Sequence, residues 1–338
     1  MANVKRLDWV DSARGIAIIA VFCGHFITPD RRLEIFCYSF HLQLFFLISG
    51  FFFKHNLTFK AFLLGQTKRL LIPLIFFGIL NILLFDFFQN KTSSDLWGQF
   101  ISIFTGFKNH PAGELWFLAS LFTVSLTYYS LNKVVKNKHI LLVAYLIVYL
   151  GGKLPTIKEF LSHFTFMNIH DIPNYLLFYA LGDYIFSHLR NFQYDLQSSL
   201  NKRITHACGL ILFFCAYAIF TFTPDWYITY GFNMPSPVVY DIYRLLLTLI
   251  IIGAVIYVSH LISEFKILSE IGKNTMILMG LEIIIKNISL NFMDMFSINI
   301  HLNNALQVVI YCLLLIFIVK LTSFKFFNKS VPFLIGRS

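Results

Sequence analysis

The chain has 338 residues, of which 57% are hydrophobic, 18% aromatic and only 13% charged. Soluble domains are about one quarter charged, so this composition excludes an ordinary soluble domain and predicts a polytopic membrane protein. The net charge of +10 does not indicate a nucleic-acid partner, because the basic residues are scattered between apolar segments and form no single patch. The first apolar stretch carries Arg14 and lacks a small-residue cleavage site after it, so no cleavable signal peptide is expected.

Apolar segments long enough to cross a bilayer recur along the whole chain. A helix needs about 20 apolar residues to cross the hydrocarbon core, and somewhat fewer where its ends are short. The hydrophobic pattern predicts about ten spans, and the mildly amphipathic stretch at 57–69 is expected to lie at the interface. The spans are 13–29, 36–53, 70–88, 114–131, 139–151, 172–187, 204–223, 238–260, 274–292 and 302–324.

The sequence shows no internal repeat, low-complexity tract or soluble domain. We therefore predict one membrane domain over residues 1–338, built as an all-α polytopic bundle of about ten transmembrane helices. It is expected to lie in the cell membrane (the inner membrane in a two-membrane cell) as a multi-pass protein.

The distribution of basic residues predicts the orientation of this bundle. With the N-terminus inside, 19 of the 27 Lys and Arg residues fall on the cytoplasmic side, as the positive-inside rule requires. The alternation predicts that both termini are cytoplasmic. Arg14 then lies near the cytoplasmic end of the first span and His25 in its outer half, while Lys68 and Arg69 open the third span at the cytoplasmic face.

Arg14 and His25 are the most informative pair of residues. Ionisable side chains inside a lipid-spanning helix are costly, by about 2.5–3.5 kcal/mol for arginine, so they usually face protein or water and often indicate function. The two residues are eleven positions apart, and eleven steps of about 100° return to within about 20° of the starting face, with a rise of about 16 Å. The spacing therefore predicts that both lie on one face of the helix, as a pathway through the membrane would need.

The cysteines indicate no chemistry. Cys23, Cys37, Cys208, Cys215 and Cys312 lie mostly within apolar segments and lack metal-ligand spacing. No His, Asp or Glu set has ligand spacing either, so no metal is expected.

Several segments, in order and spacing, resemble the acyltransferase-3 family of integral membrane acyltransferases, and in particular its fucose 4-O-acetylase-like branch. They are Leu7-Asp8-Trp9-Val10-Asp11, Arg14-Gly15-Ile16-Ala17-Ile18, Gly24-His25, Phe40-His41, Leu44-Phe45-Phe46-Leu47-Ile48-Ser49-Gly50, Lys68-Arg69-Leu70-Leu71-Ile72-Pro73, Leu115-Trp116-Phe117-Leu118 and Ile271-Gly272-Lys273-Asn274-Thr275. The resemblance implies transfer of an acetyl group from cytoplasmic acetyl-CoA to a sugar hydroxyl of a cell-envelope glycan. Gln43 departs from a position where the family often has Pro, and Glu282 from one where it often has His.

His25 is the candidate general base. The reaction requires that a hydroxyl lose its proton as it attacks a thioester carbonyl, and imidazole is suited to that proton transfer. The structural alternative is a packing histidine hydrogen-bonded to a neighbouring span. His41 is a candidate to orient the acceptor or assist His25, with a satisfied core histidine as the alternative.

Arg14, Lys68 and Arg69 are the candidate donor-binding residues. Guanidinium groups recognise phosphate well, so Arg14 is expected to bind a CoA phosphate or to stabilise charge at the reacting centre. Lys68 and Arg69 are placed to hold the CoA phosphates at the cytoplasmic mouth. Lys68 and Arg69 are equally explained as positive-inside anchors, whereas for Arg14 the surrounding motif favours function over that alternative.

The outer ends of two other spans supply candidate acceptor-binding residues. Glu114 and Trp116 begin the fourth span, and Asp241 and Arg244 begin the eighth. Their side chains suit sugar hydroxyls and stacking on a sugar ring, but ion pairing between spans and interfacial anchoring explain them as well.

The sequence thus predicts a membrane-bound O-acetyltransferase that uses acetyl-CoA and a carbohydrate acceptor, which can be lipid-linked. The rival class is a multi-pass transporter of an organic anion or lipid-linked glycan. Its substrate or proton-relay groups would be Arg14, His25, Asp183, Arg244 and Glu282. Acetyl-CoA is the expected acyl donor, and no permanently bound cofactor is expected.

Overall fold

A computed structural model describes residues 7–26, 31–89, 96–105, 113–195, 207–216, 218, 237–263 and 265–282. Within these ranges the regular secondary structure is entirely helical, which confirms the all-α prediction for the described part of the chain. The helices are α1 Asp8–Phe26, α2 Arg31–Phe51, α3 Phe59–Gln66, α4 Ile72–Gln89, α5 Leu96–Thr105, α6 Trp116–Val134 and α7 Lys138–Gly151. They continue with α8 Pro155–Ser162, α9 Ile172–Asp195, α10 Ala207–Ala216, α11 Pro237–Leu261, α12 Lys266–Lys273 and α13 Thr275–Gly280.

Local signals in the sequence account for several helix starts. Asp8 and Asp11 lie in the first turn of α1, where negative charge is favourable to the helix dipole. Thr58 caps α3 by accepting a hydrogen bond from the amide of Ala61, and Asn137 caps α7 in the same way. Pro155 occupies the first position of α8, where its missing N–H leaves no hydrogen bond unmade.

Two described helices are long and apolar enough to cross a membrane, Phe59–Leu83 and Tyr240–Leu261. A third span is possible by the same criteria if α7 and α8, which are bent by 89° at their junction, are taken together. α1 overlaps the predicted span 13–29 but also carries Asp8, Asp11 and Arg14, which lower its mean hydropathy. The ten-span count stays a prediction, and the segment 302–324 lies outside the described residues.

The helix that contains the third predicted span begins before residue 70. α3 continues through a π-helical turn, Thr67–Leu71, into α4, so one apolar helix runs from Phe59 and contains both Lys68 and Arg69. Pro73 lies in the first turn of α4 and would clash with the carbonyl of Arg69 in a regular α-helix. The wider π turn is a usual way to absorb such a disruption. The helix thus begins before residue 70, and the membrane boundary of the span stays a prediction.

The first of two compact units comprises Met1–Phe52 and Leu181–Thr275. In its described part, α1 packs against α2, α11 and α12, and α11 also packs against α2. The hydroxyl of Thr248 on α11 donates a 2.7 Å hydrogen bond to the carbonyl of Ser39 on α2. Ala13, Ala17 and Ile18 of α1 are completely buried, so α1 is the central helix of this unit.

The second compact unit comprises Phe53–Ala180 and Met276–Ser338. Its core includes an aromatic cluster in which Phe53 contacts the rings of Phe62, Tyr128, Tyr129 and Tyr179. α6 contacts the π turn and the 3₁₀ segment Phe166–Asp171. The prediction of a single domain over residues 1–338 stays a prediction.

The orientation can be tested at the two ends of α7. Lys136 precedes this helix, Lys158 follows it on α8, and both residues are exposed. The inside-positive alternation places Lys136 in the cytoplasm and Lys158 outside. We expect a membrane-impermeant thiol reagent, added to intact cells, to label Lys158→Cys and leave Lys136→Cys unlabelled, in a background without the native cysteines. Labelling of position 136 from outside would contradict the predicted orientation.

Candidate active site

Arg14 and His25 lie on a single unbroken helix. α1 runs from Asp8 to Phe26 and places Arg14 in its second turn and His25 in its last. The regular helical geometry therefore gives these residues the predicted axial separation of about 16 Å on one face. This distance is too long for both side chains to contact one carbonyl group.

His25 contacts Tyr38 of the neighbouring helix α2. The phenol oxygen of Tyr38 lies 3.4 Å from Nδ1 and 3.4 Å from Nε2 of His25, and the two rings meet edge to face with centroids 5.4 Å apart. The side chain of His25 is half-buried. A half-buried imidazole with a hydrogen-bonding partner can be oriented by the protein and still be reached by a substrate.

His41 follows Tyr38 by one helical turn on α2. Their ring centroids are 5.4 Å apart, so Tyr38 contacts the rings of both His25 and His41. Nδ1 of His41 lies 2.6 Å from the carbonyl oxygen of Cys37. Because a carbonyl only accepts hydrogen bonds, Nδ1 carries the proton, and Nε2 holds the lone pair of the neutral ring. His41 is buried, so it is less accessible to a substrate than His25.

Arg14 is held near the start of α1 by residues of its own unit. Its Nη1 lies 3.8 Å from Oδ1 of Asp11, and its guanidinium carbon lies 5.8 Å from the centroid of Phe52. The side chain of Arg14 is 33% exposed, whereas that of Asp11 is 3% exposed. The buried carboxylate thus positions a guanidinium that remains partly open to an anionic ligand.

Helix α12 closes against this end of α1 through two glycines. A Cβ added to Gly272 would lie 1.7 Å from the backbone oxygen of Asp11, and one added to Gly15 would lie 2.4 Å from the backbone oxygen of Leu268. A flexible side chain could rotate away from an added Cβ, but the backbone of the opposite helix cannot. Only glycine therefore permits this approach of the two helices. The segment Ile271-Gly272-Lys273 therefore serves at least to pack α12 onto the Arg14 end of α1.

Trp9 and His260 add an aromatic pair to the same unit. Their rings are stacked with centroids 4.5 Å apart, and Trp9 also meets Phe51 edge to face. The indole Nε1 of Trp9 is buried and has no hydrogen-bond partner among the described residues. Neither Trp9 nor His260 is among the site residues predicted from the sequence.

Lys68 and Arg69 belong to the second unit, where both residues are exposed on the π turn. Nη2 of Arg69 donates a 2.8 Å hydrogen bond to Oε1 of Gln66. π turns often occur at functional sites because they displace side chains from regular α-helical positions. The donor-binding role of Lys68 and Arg69 stays a prediction.

The predicted acceptor-binding residues are divided between the units. Asp241 is buried and Arg244 half-buried on α11 in the first unit, whereas Trp116 begins α6 in the second. The side chain of Glu114 lies outside the described residues. Their role in acceptor binding stays a prediction.

A polar cluster beside Trp116 was not identified from the sequence. The buried amide of Asn168 donates to the carbonyl of Trp116 at 3.0 Å, and both Asn168 and Met167 have φ of 52°. Asp171 accepts hydrogen bonds from Ser120 and Asn174. Burial raises the pKa of the Asp171 carboxyl group, while the nearby charge of His170 and these hydrogen bonds act in the opposite direction. No sequence motif signals two consecutive left-handed residues without glycine.

Tyr38 is also absent from the candidates predicted from the sequence. It lies three positions before His41, and this spacing places two residues on the same face of a helix. The pattern Tyr-x-x-His could have suggested a contact with His41. The contact with His25 depends on how α2 packs against α1 and has no signal in the sequence.

No group of three or more His, Cys, Asp or Glu side chains within the described ranges could hold a metal ion. The prediction that no metal is involved stays a prediction.

The described part of the chain is helical, contains two helices that are long and apolar enough to cross a membrane, and carries an arginine and a histidine on α1, which together indicate a helical membrane protein. The sequence profile of the acyltransferase-3 family, described as an acyltransferase domain, matches residues 7–323. The chain belongs to this family and is a membrane acyltransferase. No curated protein and no solved structure matches the chain.

Proposed function

We propose that this acyltransferase moves an acetyl group from cytoplasmic acetyl-CoA to a sugar hydroxyl of a cell-envelope or exported glycan. The observation that carries the proposal is the placement of Arg14 and a half-buried His25 on one face of α1. Membership of the acyltransferase-3 family supports an enzyme over the transporter. The motifs shared with the fucose 4-O-acetylase-like branch support acetyl as the acyl group and a sugar as the acceptor.

In the proposed reaction, His25 is the general base. Its imidazole takes the proton of the acceptor hydroxyl as the oxygen attacks the thioester carbonyl. A C–O bond forms, the C–S bond breaks, and the proton passes from His25 to the departing CoA thiolate. The products are an O-acetylated glycan and CoA, and His25 returns to its neutral state.

Arg14 is proposed to bind a phosphate of the donor. Arg14 lies about 16 Å along the helix axis from His25, and the thioester carbonyl would react beside His25. Arg14 is therefore better placed to bind a phosphate than to stabilise charge on that carbonyl. Its Nη1 lies 3.8 Å from the buried Asp11, and its planar guanidinium is suited to bind phosphate. His41, whose Nδ1–H is hydrogen-bonded to the carbonyl of Cys37, is proposed to assist His25.

Lys68 and Arg69 are proposed to bind the CoA phosphates as well. Replacing both with Gln should weaken acetyl-CoA binding, with the largest loss at low salt because attraction between exposed charges is screened by ions. Acetyl-CoA affinity would be measured by calorimetry on detergent-purified protein at several salt concentrations. The matched control replaces the exposed Lys133 and Lys136 with Gln and removes the same charge. Equal affinities in the two double variants would return Lys68 and Arg69 to a topological role.

For the acceptor, we propose that Glu114, Trp116, Asp241 and Arg244 contribute near the outer face. The glycan, which can be lipid-linked, would reach His25 from the bilayer or from outside. The proposed location is the inner cell membrane, where a multi-pass protein can bind cytoplasmic acetyl-CoA and an acceptor on the other side.

A deletion strain tests the proposal as a whole. Mass spectrometry of its envelope glycans should show the loss of one acetyl group per modified sugar, restored by the wild-type gene. Purified protein should also consume acetyl-CoA in the presence of the isolated glycan. Uptake of a substrate by reconstituted protein without use of any acyl-CoA would support the transporter instead.

A further inference from the structure

We propose that Tyr38 is a positioning residue that orients His25 for proton transfer. The inference rests on the proposed role of His25 as the general base. Tyr38 contacts the rings of both candidate histidines.

The hydroxyl of Tyr38 contacts the imidazole ring of His25. The phenol oxygen of Tyr38 is within 3.4 Å of both ring nitrogens of His25. Because the oxygen is equally distant from the two nitrogens, the contact does not select the tautomer, and it acts on the orientation of the imidazole ring. A distance of 3.4 Å is long for a hydrogen bond, but such contacts in enzymes without substrate often shorten when the substrate binds.

The ring of Tyr38 is held between Gly24 of α1 and His41 of α2. A Cβ added to Gly24 would lie 3.3 Å from Cε2 of Tyr38, so the ring lies directly against the backbone of α1 beside His25. On the other side, the ring contacts His41, whose own orientation is fixed by its hydrogen bond to Cys37. A phenol confined in this way can define the orientation of a neighbouring imidazole.

Many enzymes hold the catalytic base in place with a further side chain, and Tyr38 would hold His25 in this way. A base whose ring orientation is fixed before reaction needs no rotation of the ring at the moment of proton transfer. Tyr38 would take this place without touching the substrate. Its contribution should therefore appear in kcat and should depend on the presence of His25.

The test compares two tyrosine-to-phenylalanine variants in the full-length protein, with acetyl transfer to the isolated glycan as the assay. Tyr38→Phe keeps the ring and its packing and removes only the hydroxyl. We expect kcat to fall by about 10- to 100-fold, as for groups that orient a reacting partner, with the KM for acetyl-CoA unchanged. Tyr129→Phe, which removes a hydroxyl donating a 2.9 Å hydrogen bond to the carbonyl of Leu57, is the matched control and should keep its kcat.

A double variant separates positioning from packing. If Tyr38 acts through His25, then His25→Ala combined with Tyr38→Phe should be no slower than His25→Ala alone. Multiplying losses in the double variant would overturn the inference, as would a wild-type kcat for Tyr38→Phe when His25→Ala is inactive. Normal turnover by His25→Ala would instead overturn the proposed role of His25, and with it any positioning role for Tyr38.

Discussion

Replacing His25 with alanine is expected to reduce acyl transfer by about 10²–10⁴-fold while leaving the protein inserted and folded, because this is the usual contribution of a general base. His25 is half-buried in the last turn of α1 and has no packing role comparable to that of the fully buried Ile18. The measurement is acetyl transfer by equal amounts of detergent-purified, monodisperse wild type and variant. Near-normal turnover would remove His25 from the mechanism and leave His41 as the next candidate base.

Arg14→Lys is the companion variant in the same assay. Lysine keeps the positive charge but loses the planar fork that binds phosphate in a fixed geometry. A phosphate-binding role therefore predicts a raised KM for acetyl-CoA, whereas an anchor role predicts that lysine substitutes without loss. The KM of this variant for acetyl-CoA thus distinguishes phosphate binding by Arg14 from a role in membrane anchoring.

Gly272→Ala is expected to destabilise the protein more than any other conservative change on α12. The added Cβ would lie 1.7 Å from the oxygen and 2.6 Å from the carbonyl carbon of Asp11, so α12 and α1 must move apart. Overpacking of this kind costs about 1–3 kcal/mol, and more where only backbone can yield. Thermal unfolding of the purified protein should therefore shift to lower temperature, with weaker acetyl-CoA binding because Asp11 contacts Arg14.

Gly65→Ala is the control for this effect. Gly65 is also in a helix, but an added Cβ would meet nothing within 4 Å. Alanine is favoured over glycine inside a helix, so this variant should be unchanged or more stable by about 0.5–1 kcal/mol. Equal destabilisation of the two variants would contradict the close packing of α12 on α1.

Local features of the fold were predictable from the sequence because hydrophobic pattern and capping act over short distances. The helical character of α1, α2 and α6 and the placement of Arg14 and His25 on one helix follow from the length of the apolar segments. The π turn at Thr67–Leu71 did not follow, because the effect of Pro73 on a helix depends on whether the chain can continue through it. The continuity of the helix from Phe59 was missed for this reason.

The candidate site was only partly predictable. Arg14, His25 and His41 became candidates because ionisable residues in apolar helices often indicate function, and their roles stay predictions. The roles of Asp11, Gly272 and Tyr38 depend on which helices pack together, and residues distant in sequence carry no local signal of such contacts. Close helix packing through glycines and the contacts around His25 therefore required the structure.

The contact between α12 and α1 has a consequence for biosynthesis. Asp11 and Gly272 are about 260 positions apart, and a ribosome adds about 5–20 residues per second, so roughly 13–52 s separate the synthesis of the two residues. During this time the face of α1 formed by Asp11 and Gly15 lacks its native neighbour. A nascent α1 must therefore be sheltered by the insertion machinery or by lipid until most of the chain has been made. Chains that end before Lys266 would keep Arg14 and His25 on α1 but would lack α12. The face of α1 formed by Asp11 and Gly15 would then stay uncovered, and we expect such chains to be degraded by quality-control proteases.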